Sequence, residues 1–276
     1  MTEIGKTNKL QILREVDFGV YLDGDNYGEI LMPKKYLPEN YKIDDFVEAF
    51  VYLDSEDRIV ATTEKPYAMV GEFAFLKVVA VNEFGAFLDW GLIKDVLVPF
   101  NEQKQKMEEG QSYLVYIYLD EKSERIAASS KLDKYLEEES TDYQEGQEVN
   151  LIISNKTNIG YKAIINHTHW GVIYQNEIFQ TLTKGQKIKG YIKKSREDNK
   201  IDLSLYKQGY EKVDDSLAKV LFVIKNNNGF ISVTDKSSPK IIYEMFGISK
   251  KTYKKIIGAL YRRKIISIEK DGIKLN

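Results

Sequence analysis

Between Val70 and Lys131 short apolar runs alternate with turns: Phe73–Val81, Gly85–Asp89, Val96–Pro99, Tyr113–Leu119 and Arg125–Ser129. Runs of that length, rich in β-branched and aromatic residues, predict the strands of a small antiparallel barrel rather than helices. The pattern recurs upstream at an offset of 66 residues. Phe18-Gly19-Val20-Tyr21-Leu22-Asp23 falls on Phe84-Gly85-Ala86-Phe87-Leu88-Asp89, and Leu31-Met32-Pro33 falls on Leu97-Val98-Pro99. The closing strands match as well, so the first two units are sister barrels in a tandem repeat. A fainter third copy opens at Glu145-Gly146-Gln147, with Ile159-Gly160 in place of Phe84-Gly85 and Trp170-Gly171 in place of Trp90-Gly91. Gly85 and Trp90 are five residues apart but Gly160 and Trp170 are ten, which predicts a lengthened hairpin in unit three.

Two joins interrupt the repeat. Residues 132–142 read as a short acidic helical linker, and a second join falls near Gln208–Lys212. After it the period changes to that of a helix, with Leu217, Val220, Leu221 and Ile224 on one side of Ser216–Lys225. Phe230–Val233 reads as a short strand, and Pro239 opens a second helix that runs to Phe246. Gly247-Ile248-Ser249 is a tight turn, with Ser249 as N-cap of a third helix over Lys250–Arg263. Ile265–Ile268 and Ile273–Leu275 flank Asp271-Gly272, a two-residue hairpin signal. Helix, helix-turn-helix and hairpin in that order describe a winged helix. The expected architecture is mainly β with a C-terminal α/β part, in four domains: 1–65, 68–134, 143–207 and 211–276.

Charge adds a direction to this plan. The net charge is only −2. Yet residues 1–142 carry 16 Lys+Arg against 29 Asp+Glu, whereas residues 143–276 carry 24 against 13. Nucleic-acid affinity comes largely from neutralised phosphates, so a polyanion should favour the C-terminal half. The third helix is its sharpest feature. Tyr253, Ile256, Ile257 and Leu260 share one face, while Lys251, Lys254, Lys255 and Arg262 share the opposite arc with Gly258 among them. Between Ser249 and Lys264 lie seven basic residues and no acid, the footprint of a helix laid against a phosphate backbone. Its exposed side is mostly lysine, whereas direct base readout in duplex DNA calls for Arg, Asn or Gln, so backbone contact with weak sequence preference is expected.

Little points to catalysis. The chain has no cysteine, so disulfides and thiolate metal sites are excluded. It has no Gly-x-Ser-x-Gly, no phosphate-cradling Gly-Lys-Ser/Thr loop and no Gly-x-Gly-x-x-Gly ahead of a helix. The two histidines, His167 and His169, read as a solvent-facing pair in the hairpin of unit three, and Asp214-Asp215 as the acidic start of a helix. No cofactor, metal or enzymatic activity is expected. The N-terminus lacks an apolar signal segment and no run reaches the ~20 apolar residues that span a bilayer, so a cytoplasmic protein without membrane contact is expected.

Phe84-Gly85-Ala86-Phe87 and Arg125-Ile126-Ala127-Ala128-Ser129 resemble the S-one RNA-binding motif, an OB-fold repeat. The resemblance implies three tandem S-one-type barrels and a single-strand site on each. By position that site comprises Phe18, Tyr21, Asp54 and Arg58 in unit one, and Phe84, Phe87, Asp120 and Arg125 in unit two. The histidine common at the end of the family's third strand is replaced by Pro33 and Pro99. Unit three has Ile159 for the first aromatic and offers Tyr161 and Tyr174, with Lys200 in the arginine position and further cations at Lys187, Lys189, Lys193, Lys194 and Arg196. Three such barrels followed by a winged helix resemble the bacterial conserved virulence factor B family. That implies a non-enzymatic protein binding single-stranded RNA and acting on gene expression after transcription. We expect RNA over unit three and the wing domain, stacking from unit two, and the least from Phe18, Tyr21 and Arg58. The alternatives are a DNA-binding transcriptional regulator and a ribosome- or nuclease-associated adaptor, with the ribosome or RNA-processing proteins as partners.

Overall fold

The computed structural model describes residues 1–138, 143–175, 178, 181–206 and 214–276. The chain divides into two units, Met1–Glu137 and Glu138–Asn276. The first holds two closed barrels. Barrel one comprises β1 (Thr7–Val16), β2 (Gly19–Asp23), β3 (Glu29–Pro33), β4 (Phe46–Leu53) and β5 (Ile59–Thr62). Barrel two comprises β6 (Phe73–Val81), β7 (Gly85–Asp89), β8 (Val96–Pro99), β9 (Ser112–Leu119) and β10 (Ile126–Ser129). The second unit holds barrel three, with β11 (Glu148–Thr157), β12 (Gly160–Ile165), β13 (His169–Tyr174), β14 (Lys187–Ser195) and β15 (Ile201–Ser204). All three close in the same order, first-second-third-fifth-fourth, with the third and fifth strands parallel.

Closure depends on bending the first strand so that it pairs with both the second and the fourth. A register shift does this at the same place in each barrel, between Ile12 and Arg14, Val78 and Ala80, and Ile153 and Lys156. The glycine that opens the second strand is equally fixed. At Gly85 φ is 152°, and a Cβ there would collide with the Val98 carbonyl oxygen on β8. No side chain fits that approach.

Alternation does the rest. Leu10, Ile12, Val20, Leu22, Ile30 and Met32 fill barrel one, and Val149, Leu151, Ile153, Ile165, Ile173 and Ile192 fill barrel three. Barrels one and two share a seam. Phe50 of β4 meets Trp90 edge-on with centroids 5.7 Å apart, and the Val70 N–H donates to the Gly5 carbonyl at 3.0 Å.

The winged helix comprises α1 (Asp214–Asn226), β16 (Phe230–Ile231), α2 (Pro239–Phe246), α3 (Lys250–Arg262), β17 (Ile266–Ile268) and β18 (Ile273–Leu275), its sheet ordered β16-β18-β17. Ser238 and Ser249 cap α2 and α3 by accepting from Ile241 N–H and Thr252 N–H. Tyr253, Ile256, Ile257 and Leu260 are buried against Val220, Ile242 and Phe246, as the apolar face of α3 predicts.

Four expectations need correction. The hairpin of unit three is not lengthened. Gly160 pairs with Tyr174 fourteen residues on, the interval that also separates Gly85 from Pro99 and Gly19 from Pro33. Trp170 therefore lies inside β13, whereas Trp90 lies in the loop after β7, and the two tryptophans are not counterparts. The histidines do not form a solvent-facing pair, because His169 is buried with Nδ1 2.8 Å from Thr168 Oγ1, while half-buried His167 occupies the turn at φ 63°. In the wing, Glu269 N–H donates to the Gly272 carbonyl, which centres the turn on Lys270-Asp271 rather than Asp271-Gly272. A Cβ at Gly272 would collide with the Ile231 carbonyl oxygen, so its glycine answers a packing demand. In the acidic linker, Leu132–Tyr135 does form a short helix, of the 3-10 type, while residues 139–142 and 207–213, including the second join, lie outside the described residues.

Candidate nucleic-acid interface

Each barrel presents the aromatic positions that its sequence predicts, but in different electrostatic company. On barrel one Phe18 is 58% exposed just ahead of β2. Tyr21 is half-buried beneath the Arg14 guanidinium, 4.1 Å from the ring centroid, and Arg14 is held in turn by Glu29 at 2.6 Å. Arg58 pairs with Asp54 at 2.7 Å and with Glu56 at 2.9 Å. Burial pushes the Asp54 carboxyl up, but the Arg58 side chain and the N–H groups of Arg58 and Glu56 outweigh it and hold the group below the usual aspartate range. The cation of this face is thus already neutralised by two carboxylates.

On barrel two Phe84 is 63% exposed and Phe87 half-buried. The expected Asp120–Arg125 pair does not form. Asp120 accepts from Ser123 Oγ at 2.6 Å, and Arg125 pairs with Asp57 in the β4–β5 turn of barrel one. Lys94 joins the same cluster, donating to the Asp54 carbonyl at 2.5 Å with its ammonium 3.7 Å from Asp57. Arg14, Lys94 and Asp57 escape a reading based on repeat spacing, because the barrel seam and a cross-strand stack create their roles.

Barrel three reverses the pattern. The turn between the fourth and fifth strands is closed by the Arg196 N–H donating to the Lys200 carbonyl, as Asp54 donates to Arg58 and Asp120 to Arg125 in the sister barrels. A cation, Arg196, therefore occupies the position that an aspartate holds twice elsewhere. Arg196 pairs with Asp202 at 2.9 Å, donates to the Tyr174 hydroxyl and lies 5.8 Å from the Tyr174 ring centroid. Tyr174 occupies the third-strand end, where barrels one and two have proline. Tyr161 is half-buried on neighbouring β12 and pairs with Ile173 of β13. Lys187, Lys189, Tyr191 and Lys193 alternate outward along β14, and a register shift after Ile192 leaves Lys194 exposed. Besides Arg196, the expected cations Lys189 and Lys200 are engaged, Lys189 with Glu148 and Lys200 with Asp198 at 2.7 Å.

On α3 the exposed stripe is intact. Lys251, Lys255 and Arg262 have no carboxylate partner among the described residues, and Lys254 lies 3.8 Å from Asp235. Nothing lies within 4 Å of a Cβ built on Gly258, so no intramolecular packing accounts for a glycine in the middle of this helix. Tyr261, one turn on, is 56% exposed.

Two families match this architecture by sequence. The S1 domain matches residues 4–64 and again 70–130, and the CvfB-like winged helix domain matches residues 218–275. Two S1 domains and a CvfB-like winged helix are thus present in one chain, and over most of its length the chain is similar to proteins named conserved virulence factor B. A conserved virulence factor B of Staphylococcus epidermidis (strain RP62A) is 25% identical over 86% of this chain and 82% of its own. YitL of Bacillus subtilis is 27% identical over 94% of this chain and 89% of its own. A crystal structure of a multidomain protein with nucleic acid binding domains from Streptococcus pneumoniae is 23% identical over 99% of this chain and 98% of that one, with a TM-score of 0.44. The S1 and winged-helix domain types support nucleic-acid binding. Among the described residues no cluster of three or more His, Asp or Glu is arranged for a metal ion, and no helix is long and apolar enough to cross a membrane.

Proposed function

We propose that this protein binds single-stranded RNA with low sequence preference, through barrel three and the winged helix, and that it acts in the cytoplasm on gene expression after transcription. The observation that carries the proposal is the distribution of uncommitted positive charge. Arg58 and Arg125 are consumed by Asp54, Glu56 and Asp57, whereas Lys251, Lys255 and Arg262 flank an open Gly258 with no acid paired to them among the described residues. Single-strand affinity combines base stacking, worth ~1–3 kcal/mol per base, with a cationic track for the backbone. Tyr161 and Tyr174 supply rings on barrel three, where Arg196 is held by Asp202 and Lys194 is exposed, and α3 supplies the densest cation row. Phe84 and Phe87 stand outside this track in our reading, since their arginine is engaged across the seam.

The test is a titration of the full chain with single-stranded RNA, single-stranded DNA and duplex DNA at two salt concentrations. Lys251→Glu with Lys255→Glu should weaken RNA binding more than Phe18→Ala does. It should also flatten the salt dependence, by about 0.7 in logarithmic slope for each phosphate that is no longer neutralised on a single strand. Preferential binding of duplex, or the reverse ranking of the variants, would contradict the proposal.

A further inference from the structure

The acidic first unit contains a cleft that the RNA track leaves unused. It encloses about 340 Å³, at the small end of the ~300–1,000 Å³ typical of ligand sites. Its walls are rings: Tyr52 from barrel one and Phe84, Phe87, Trp90 and Tyr118 from barrel two. Asp95 lines it, half-buried, with no hydrogen bond or ion pair among the described residues. Burial, and then the charge of Asp89, push its carboxyl above the usual aspartate range. The two cations at the rim, Arg125 and Lys94, are both drawn to Asp57. The cleft therefore sets a carboxylate with no protein partner among the described residues beside aromatic faces.

We propose that this cleft receives an arginine side chain from a basic segment of a partner protein. A guanidinium is planar, stacks on aromatic faces and offers two parallel N–H donors to a carboxylate, so rings and Asp95 are satisfied together. The wider field agrees, because residues 1–142 carry 29 acids against 16 bases and attract a basic chain. A nucleobase would stack on the same rings, but its phosphates would meet Asp120 and Asp57 with the local cations already engaged. This inference is independent of the RNA track on the second unit.

The experiment titrates the full chain with a labelled octapeptide of alternating arginine and glycine, and with its citrulline counterpart, which keeps the shape and loses the charge. The arginine peptide should bind, and replacing arginine by citrulline, or Asp95→Asn, or Phe84→Ala should each cost roughly tenfold or more in Kd. Asp17→Asn, an exposed acid outside the cleft, should leave Kd unchanged. The proposal fails if Asp95→Asn and Phe84→Ala bind the peptide like the parent, or if Asp17→Asn costs as much as Asp95→Asn. It also fails if single-stranded RNA displaces the peptide and itself loses affinity in Phe84→Ala, because the cleft would then be a nucleobase site.

Discussion

Gly258 condenses the account into one residue. A glycine within a helix costs about 1 kcal/mol relative to alanine. In this helix the cost is offset by nothing internal, since the space above it is open. Gly258→Ala should therefore raise the melting temperature, while weakening RNA binding because a methyl group holds the backbone away from the Lys251–Lys255 stripe. Thermal melting and an RNA titration on the same variant check both halves, and stabilisation with unchanged affinity would remove close approach as the reason for the glycine. Asp54 makes a different residue-scale point. Its folded carboxyl ionises below the ordinary aspartate range, so it binds fewer protons folded than unfolded through that range. Its contribution is complete above the unfolded value and disappears as pH falls through the folded one. The melting difference between the parent and Asp54→Asn should accordingly shrink on acidification, and a constant difference would contradict this origin.

At the scale of elements, the β12–β13 hairpin decides what barrel three can do. Fourteen residues separate Gly160 from Tyr174, and that count places a tyrosine where the sister barrels have Pro33 and Pro99. The interval was legible in the sequence, but matching the tryptophans hid it, because Trp-Gly recurs in two different structural settings. The barrel strands and the amphipathic α3 were legible because they rest on local periods of two and 3.6 residues. The Arg125–Asp57 pair was not. Its partners are 68 residues apart and meet only because two barrels pack along a seam. Arg196 is the element's pivotal charge, held by Asp202 and the Tyr174 hydroxyl. Arg196→Asp would restore the acid of the sister barrels at that turn, and should lower both RNA affinity and the melting temperature of the second unit. Fluorescence anisotropy and calorimetry would check the two effects, and unchanged affinity would remove barrel three from the RNA path.

At the scale of the whole molecule, one chain carries an acidic half and a basic half with different tasks. The first unit spends its arginines on its own carboxylates and keeps an aromatic cleft in which Asp95 has no protein partner among the described residues. The second unit also pairs Arg196 with Asp202, but on α3 it keeps Lys251, Lys255 and Arg262 without a carboxylate partner among the described residues. Salt should therefore oppose RNA binding steeply, with the slope set by the second unit alone. The most direct measurement is a photo-crosslinking footprint of a short single-stranded RNA on the full chain. Crosslinks confined to residues 148–204 and 249–276 are the predicted result, and a footprint confined to residues 1–130 would contradict the account.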